Sequence, residues 1–116
     1  MLAWCMSEPR DDSVYLGHIR DAIARIESYL QGVSEEEFLG TPMVQDAVMH
    51  QIQIIGEAAS RVSSALKARS KHIPWRDITG MRNKLVHDYM GVDLEAVWET
   101  ARKDIPVLKT LIGQLG

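Results

Sequence analysis

A chain of 116 residues with 46% hydrophobic and 25% charged side chains has the size and composition of one folded domain, which excludes a largely disordered protein. No apolar run is long enough to cross a bilayer, and no signal peptide is evident, so we expect a cytoplasmic protein. The single cysteine, Cys5, cannot form an internal disulfide. Because Met6 offers a second start, we interpret residues 1–6 as an N-terminal extension and residues 7–116 as one domain.

The net charge of −3 is distributed unevenly. Residues 1–60 carry three arginines against ten carboxylates, a net charge of −7. Residues 61–84 carry seven basic side chains against one aspartate, a net charge of +6, and residues 85–116 return to −2. A basic block of this kind attracts a phosphate backbone, although a solvated helix end and loop would look the same in sequence.

The first predicted helix covers the apolar positions from Tyr15 to Leu30, which recur at steps of three and four. It should span roughly five turns, with Asp12 or Ser13 as its N-cap and Gly32 as its stop.

The next predicted elements start at recognisable caps. Ser34 and Glu37 form a capping box for a short turn that ends near Gly40. Thr41 followed by Pro42 then predicts the start of a long helix, because threonine can cap and proline fits the first helical position.

The long helix should run to about Ala65 or beyond and supply the centre of the core. Its polar stripe includes Glu57, which lies among apolar neighbours and is a candidate for a partly buried, paired carboxylate that supports the site. The predicted core face is Val44, Val48, Ile52, Ile55, Ala59, Val62 and Leu66.

The second half of the chain is predicted as a basic linker and two further helices. The linker covers residues 67–73, and a helix restarts at Pro74 and ends at Gly91. Asp93 should cap the last helix, which Pro106 should bend rather than abolish. No segment alternates with a period of two, so we predict an all-α fold, an antiparallel bundle of about four main helices.

The segment from Arg82 to Tyr89 holds the candidate site. An arginine is always charged and grips phosphate oxygens in a fork, while a histidine takes and gives a proton near neutral pH. Arg82 and His87 are therefore candidates for phosphodiester chemistry, and Asn83 could orient the His87 ring. The blander alternative is that Arg82 pairs with Glu57 and that His87 lies on a wet surface. Candidate contacts to a phosphate backbone are Arg69, Lys71, Arg76 and Lys84.

On one continuous helix the two principal residues of this segment would not lie side by side. Arg82 would lie about 140° around the helix from His87, near the edge of the apolar face. Three solutions remain open: the arginine side chain reaches around, the last turn unwinds before Gly91, or a second copy of the chain supplies the facing histidine. In a two-fold dimer, Gly80 would let two polar faces approach closely. That face would be Gly80, Asn83, Lys84 and His87.

The string Arg82-Asn83-x-x-x-His87-x-Tyr89 resembles the signature of the HEPN superfamily of small all-α proteins. Its flanks resemble the HepT toxin family, which is typically paired with an MntA-type nucleotidyltransferase antitoxin. The resemblance covers the chain from about Ser7 onwards. The flanking strings are Ile54-Ile55-Gly56-Glu57-Ala58, Ile73-Pro74-Trp75, Gly80-Met81-Arg82-Asn83 and Gly91-Val92-Asp93-Leu94.

This resemblance implies a metal-independent endoribonuclease without a cofactor, acting on RNA at the cleft of a homodimer. Arg82 would stabilise the phosphorane, His87 would act as general base or acid, and Asn83 would position the phosphate or the ring. Attack by the ribose 2′-hydroxyl would leave a 2′,3′-cyclic phosphate, so DNA should resist. Tyr89 matches the tyrosine that, in this family, the antitoxin modifies with AMP.

Two other classes of function stay open in the sequence. One is a non-catalytic helical interaction module that binds the nucleotidyltransferase or a nucleotide and uses Tyr89 only as the modified residue. The other is a structural helical protein without an active site. The four histidines and Cys5 show no metal-ligand spacing, so we expect no metal centre.

Overall fold

The computed structural model describes residues 11–87 and 91–115, and of His87 only the backbone. Its helices confirm the predicted all-α class, and the one pair of strands in these ranges is two residues long. The predicted extension, residues 1–6, lies outside the described residues. The elements are α1 (Asp12–Leu30), α2 (Glu35–Leu39), α3 (Pro42–Arg61), α4 (Ser64–Arg69), α5 (Trp75–Thr79), α6 (Met81–Leu85), β1 (Val86–His87), β2 (Gly91–Val92), α7 (Leu94–Glu99), a π-helical turn (Thr100–Asp104) and α8 (Ile105–Gly113).

The core lies between α1 and α3, with α8 packed against α1 and α7 against α3. Ile19 of α1 and Ile52 and Ile55 of α3 are fully buried. Each such side chain contributes roughly 1.5–3 kcal/mol of hydrophobic stabilisation. The predicted core face of the long helix is confirmed except at Val44, which is half-buried.

The helix ends follow the predicted caps with two exceptions. The capping box of Ser34 and Glu37 is present, and Gly32 has a φ of 73°, the left-handed conformation that ends α1. The N-cap of α1 is Asp11, whose carboxylate accepts a hydrogen bond from the Ser13 amide, so the prediction of Asp12 or Ser13 was wrong. Thr41 precedes Pro42 as predicted, but its hydroxyl donates to the Glu37 carbonyl instead of capping α3.

The predicted end of the long helix was wrong because a serine cap starts a new helix. Helix α3 ends at Arg61, and Ser63 accepts a hydrogen bond at Oγ from the Leu66 amide, 3.1 Å away. The Asp12 carboxylate accepts from the Ser63 amide at 2.8 Å and from its hydroxyl at 2.6 Å. Residues 64–69 therefore form α4, and the predicted basic linker of residues 67–73 is shorter than expected.

We expect Ser63→Ala to lower the free energy of unfolding by about 1–2 kcal/mol at neutral pH, because it removes the cap of α4 and the hydroxyl partner of Asp12. The pKa of Asp12 lies below its ordinary value, chiefly because the Ser63 hydroxyl donates to the carboxylate. This stabilisation is present above the ordinary carboxyl pKa and is lost as pH falls through the lowered pKa.

Urea denaturation of the wild type and the variant at neutral pH and at about pH 3 measures both effects. The difference in unfolding free energy should shrink as pH falls below the ordinary carboxyl pKa, because the unfolded chain then gains a proton at Asp12 that the folded chain resists. Ser64→Ala is the matched control, since Ser64 is an exposed neighbour inside α4. Equal stabilities of the two variants at neutral pH would contradict the role of Ser63.

The C-terminal helical segment begins and continues as predicted. The Asp93 carboxylate accepts a hydrogen bond from the Ala96 amide and caps α7. Pro106 has no N–H for a helical hydrogen bond, and the chain stays helical through it by forming the π-helical turn just before. The expectation that Pro106 does not end the helical segment is confirmed.

Candidate active site

Two candidate residues lie side by side on the short helix α6. The Arg82 guanidinium donates through Nη1 to Asn83 Oδ1, 3.4 Å away, and both side chains are exposed. This is the one hydrogen bond that the described part of the chain gives Arg82, so most of its five N–H donors can bind a ligand. Helix α6 is packed against the core through Leu85, which is buried, and Met81, which is half-buried.

An open cavity of about 380 Å³ adjoins this pair. One wall is formed by the end of α5 and by α6, and the other is formed by the exposed face of α3. The lining residues are Gln53, Gly56, Glu57, Ser60, Thr79, Arg82 and Asn83. The site therefore combines a cation and an amide on one wall with a carboxylate, an amide and a hydroxyl on the other.

Gly56 brings the two walls together. It is buried in α3, and a Cβ at this position would lie 3.1 Å from the Thr79 carbonyl oxygen and 3.5 Å from that of Ile78. A Cβ contact of 3.1 Å is tighter than nine in ten real ones, so any other residue here would push α3 and the end of α5 apart by a few tenths of an ångström. The position of Arg82 beside α3 depends on this approach.

Glu57 differs from its predicted environment. It is exposed rather than partly buried, and its Oε1 accepts a hydrogen bond from Gln53 Nε2 at 3.3 Å. Within the described residues no ion pair joins it to Arg82, although both side chains line the same cavity. The structure therefore contradicts the pairing of Arg82 with Glu57, and the guanidinium is available to a ligand.

The predicted single helix from Pro74 to Gly91 was wrong. Helix α5 ends at Thr79, α6 ends at Leu85, and His87 lies in β1, where it pairs with Gly91 of the antiparallel strand β2. The Leu85 carbonyl accepts a hydrogen bond from the Asp93 amide at 2.8 Å instead of continuing the helix. The motif helix therefore unwinds before Gly91, as the second of the three open solutions supposed.

Because the helix is interrupted, the predicted polar face does not form on one continuous helix. Its residues would have been Gly80, Asn83, Lys84 and His87. Lys84 lines a different cavity, of about 260 Å³, and its Nζ lies 3.5 Å from a carboxylate oxygen of Asp77. It is thus directed away from the cavity of Arg82 and Asn83. Gly80 has a negative φ and only an ordinary contact at its Cβ position, so the fold of one chain does not itself require glycine there.

The remaining candidates are exposed or lie outside the described residues. Arg69, Lys71 and Arg76 are all exposed. Tyr89 lies outside the described residues. Among the residues that the structure does describe, no group of three or more histidine, cysteine, aspartate or glutamate side chains is placed to hold a metal ion. No helix in the same ranges is long and apolar enough to span a membrane.

Four cavity residues were not among the candidate site residues predicted from the sequence: Gln53, Gly56, Ser60 and Thr79. Ser60 continues the polar stripe of Gln53 and Glu57 by one further step of three, so extending that stripe would have found it. Thr79 belongs to no periodic pattern, and it reaches the cavity only because α5 ends beside Gly56.

Fold and site together define a small all-α protein that presents an arginine and an amide side by side at an open cavity, an arrangement suited to binding phosphate. The chain belongs to the HepT-like ribonuclease family, since the family model described as "Ribonuclease HepT-like" matches residues 19–115. The resemblance inferred from the motif strings is thereby confirmed.

Relatives of this chain occur in archaea and bacteria. It is 40% identical over 100 residues to "Probable ribonuclease HepT" of Thermococcus cleftensis, covering 86% of this chain and 91% of that protein. It is 34% identical over 110 residues to a "Putative RNase" of Caldanaerobacter subterraneus subsp. tengcongensis, covering 95% and 96%.

The name of one longer relative includes a second activity. The chain is 41% identical over 100 residues to a "Gamma-glutamylcyclotransferase and putative RNase" of Methanocaldococcus jannaschii, covering 86% of this chain. It spans only 45% of that protein, less than half its length. No solved structure matches the chain.

Proposed function

We propose that this protein is a metal-independent, toxin-type endoribonuclease whose site comprises Arg82, Asn83 and His87. The observation that carries the proposal is the exposed Arg82–Asn83 pair at the wall of an open cavity, in a member of the HepT-like ribonuclease family. His87 follows on the adjoining strand, only two residues after α6 ends. This sequence of elements supports a phosphate-binding group on a helix and a proton-transfer group on the strand that leaves it.

The reaction is a transesterification within the RNA strand. The ribose 2′-oxygen attacks the adjacent phosphorus, its proton passes to a base, and the bond from phosphorus to the 5′-oxygen breaks as that oxygen receives a proton. The products are a 2′,3′-cyclic phosphate and a 5′-hydroxyl. His87 serves as general base or acid, and the Arg82 guanidinium stabilises the charge that develops on the phosphorane oxygens. Asn83 holds the arginine and positions the phosphate.

A homodimer would complete the site. One histidine cannot readily act as base and acid on opposite sides of the phosphorus in the same step, so a second copy of the motif across a two-fold axis would supply the other proton carrier. We therefore expect sedimentation to give twice the mass of one chain at micromolar concentration. A monomer under these conditions would contradict the shared cleft.

An MntA-like nucleotidyltransferase antitoxin is the proposed partner, with Tyr89 as the tyrosine that receives AMP. The added group would bring bulk and negative charge two residues from His87, so it would exclude RNA by occlusion and repulsion. Mass spectrometry after co-expression with such a transferase should find the added mass on Tyr89. An unmodified tyrosine in an inactivated protein would contradict this form of regulation.

The proposed backbone contacts come from the basic block before the motif. Arg69, Lys71 and Arg76 are exposed, as an RNA-binding surface requires, and their contributions should weaken as salt rises. Lys84 is the weaker candidate, because it already lies near Asp77 and lines the other cavity.

The test of the activity compares RNA with DNA of the same sequence in the presence of a chelator. Cleavage should occur only in RNA, because only ribose carries the attacking 2′-hydroxyl, and it should survive the chelator because no metal takes part. A single 2′-deoxynucleotide at the cleaved position should block that position alone. Cleavage of the DNA, or dependence on a divalent ion, would overturn the mechanism.

A further inference from the structure

The α3 wall of the cavity has a chemistry that phosphate binding does not explain. A phosphate group needs donors and positive charge, which Arg82 and Asn83 supply from the other wall. Facing them across the cavity are the Glu57 carboxylate and the Gln53 amide, both exposed. A carboxylate next to a phosphate site is unfavourable for the phosphate itself, so this wall suits a different part of the ligand.

The hydrogen bonds within this wall leave mainly acceptors. Gln53 donates one N–H to Glu57 Oε1, and the Ser60 hydroxyl donates to the Glu57 carbonyl at 2.6 Å. Glu57 Oε2 and Gln53 Oε1 have no hydrogen bond among the described residues. The free groups of these two side chains are therefore a charged acceptor, a neutral acceptor and one remaining Gln53 N–H. Acceptors outnumber donors, which suits a ligand edge rich in N–H donors.

Among the nucleobases, guanine presents such an edge. Its N1–H and its N2 amino group point in the same direction and match the two oxygens of a carboxylate. Adenine and cytosine offer one amino group beside a ring acceptor, and the single N–H of uracil lies between two carbonyl oxygens. A carboxylate therefore attracts the donor edge of guanine, and it is repelled by the ring acceptors and carbonyl oxygens of the other three bases.

We propose that Gln53, Glu57 and Ser60 form a nucleobase subsite that selects guanine next to the cleaved phosphate. This subsite rests on the proposed ribonuclease function and adds substrate selection to it. The cavity volume of about 380 Å³ lies within the range of small-ligand sites and leaves room for one base beside a phosphate. Glu57 is the specificity residue, and Gln53 positions its carboxylate through the 3.3 Å hydrogen bond.

The test uses oligouridine RNA that contains a single guanosine, inosine or 7-deazaguanosine, with cleavage mapped on both sides of that nucleotide. Inosine lacks the N2 amino group, and we expect kcat/KM to be about 10-fold or more lower at inosine than at guanosine on one side. 7-Deazaguanosine keeps N1–H and the amino group, so it should be cleaved as well as guanosine. Loss of cleavage at 7-deazaguanosine would place recognition on the other base edge and overturn the subsite.

Glu57→Gln identifies the residue responsible. The variant should still cleave RNA but lose the difference between guanosine and inosine. The ratio of the two rates is the readout, because removing a carboxylate also raises affinity for every RNA. Asp46→Asn is the matched control: Asp46 is exposed on α3, does not line the cavity, and should keep the ratio. A ratio unchanged in Glu57→Gln would overturn the assignment.

A protein that cleaves no RNA would refute the proposed activity and still leave the subsite testable. Calorimetry with guanosine 3′-monophosphate and inosine 3′-monophosphate then measures base recognition directly. About 10-fold tighter binding of the guanosine nucleotide, lost in Glu57→Gln, would support the subsite. Equal dissociation constants for the two nucleotides in the wild type would overturn it.

Discussion

Replacing His87 by alanine should lower kcat for RNA cleavage by about 100- to 10,000-fold, the usual contribution of a positioned proton carrier. Replacing Arg82 by alanine should lower it by about 100-fold or more, because the charge on the phosphorane oxygens loses its main donor. Both losses should appear in single-turnover rates at saturating RNA, where substrate binding no longer limits the reaction.

The controls for these variants come from α1, which lies outside the cavity. His18 and Arg25 are exposed on that helix, and their replacement by alanine should leave the rate unchanged. An unaffected rate in His87→Ala would rule out its role in proton transfer. A loss in Arg82→Ala that high RNA concentration restores would assign the arginine to RNA binding instead.

The second large effect concerns the glycine that brings α3 against α5. We expect Gly56→Val to lower the free energy of unfolding by about 1–3 kcal/mol, because the added carbons would collide with the Thr79 carbonyl, which is backbone and cannot turn away. The strain must be relieved by separating the two helices. Since Arg82 follows shortly after Thr79, RNA cleavage should fall as well. Urea denaturation and the cleavage assay measure the two effects.

Gly17→Val is the matched control for this variant. Gly17 lies within α1, and a Cβ there meets nothing within 4 Å. Glycine and valine differ by only a few tenths of a kcal/mol in helix propensity, so this variant should be nearly as stable as the wild type. Equal unfolding free energies of the two variants would show that α3 can move away from the Thr79 carbonyl without loss of stability.

Local sequence signals predicted most helix starts and the face of α3. The capping box at Ser34 and the Asp93 cap are contained within four residues, so a single sequence reveals them. The break after Arg61 was missed although Ser63 is a good N-cap residue. Its strongest partner is Asp12, 51 residues away, and no periodic pattern carries information about that pairing.

The arrangement of the candidate residues was harder to predict than the helices. Arg82 and Asn83 lie together, and the Arg82 side chain is exposed where an ideal helix placed it at the apolar edge. The sequence prediction continued the helix past Leu85, but the chain leaves the helical conformation there. The hydrogen bond from Asp93 and the left-handed conformation of Gly91, with φ of 75°, stabilise the strand pair, and both lie beyond the motif helix.

Because α6 ends at Leu85, Arg82 lies on a helix and His87 on the following strand, and different neighbours position the two residues. The arginine side is positioned by α3 through Gly56, whereas the histidine side is positioned by β2 and the start of α7. The four residues between Arg82 and His87 therefore act as a connection of fixed length rather than as a helical repeat. In the proposed mechanism, phosphate binding and proton transfer should therefore be separable: changes near Asp93 should displace His87 while Arg82 still binds phosphate.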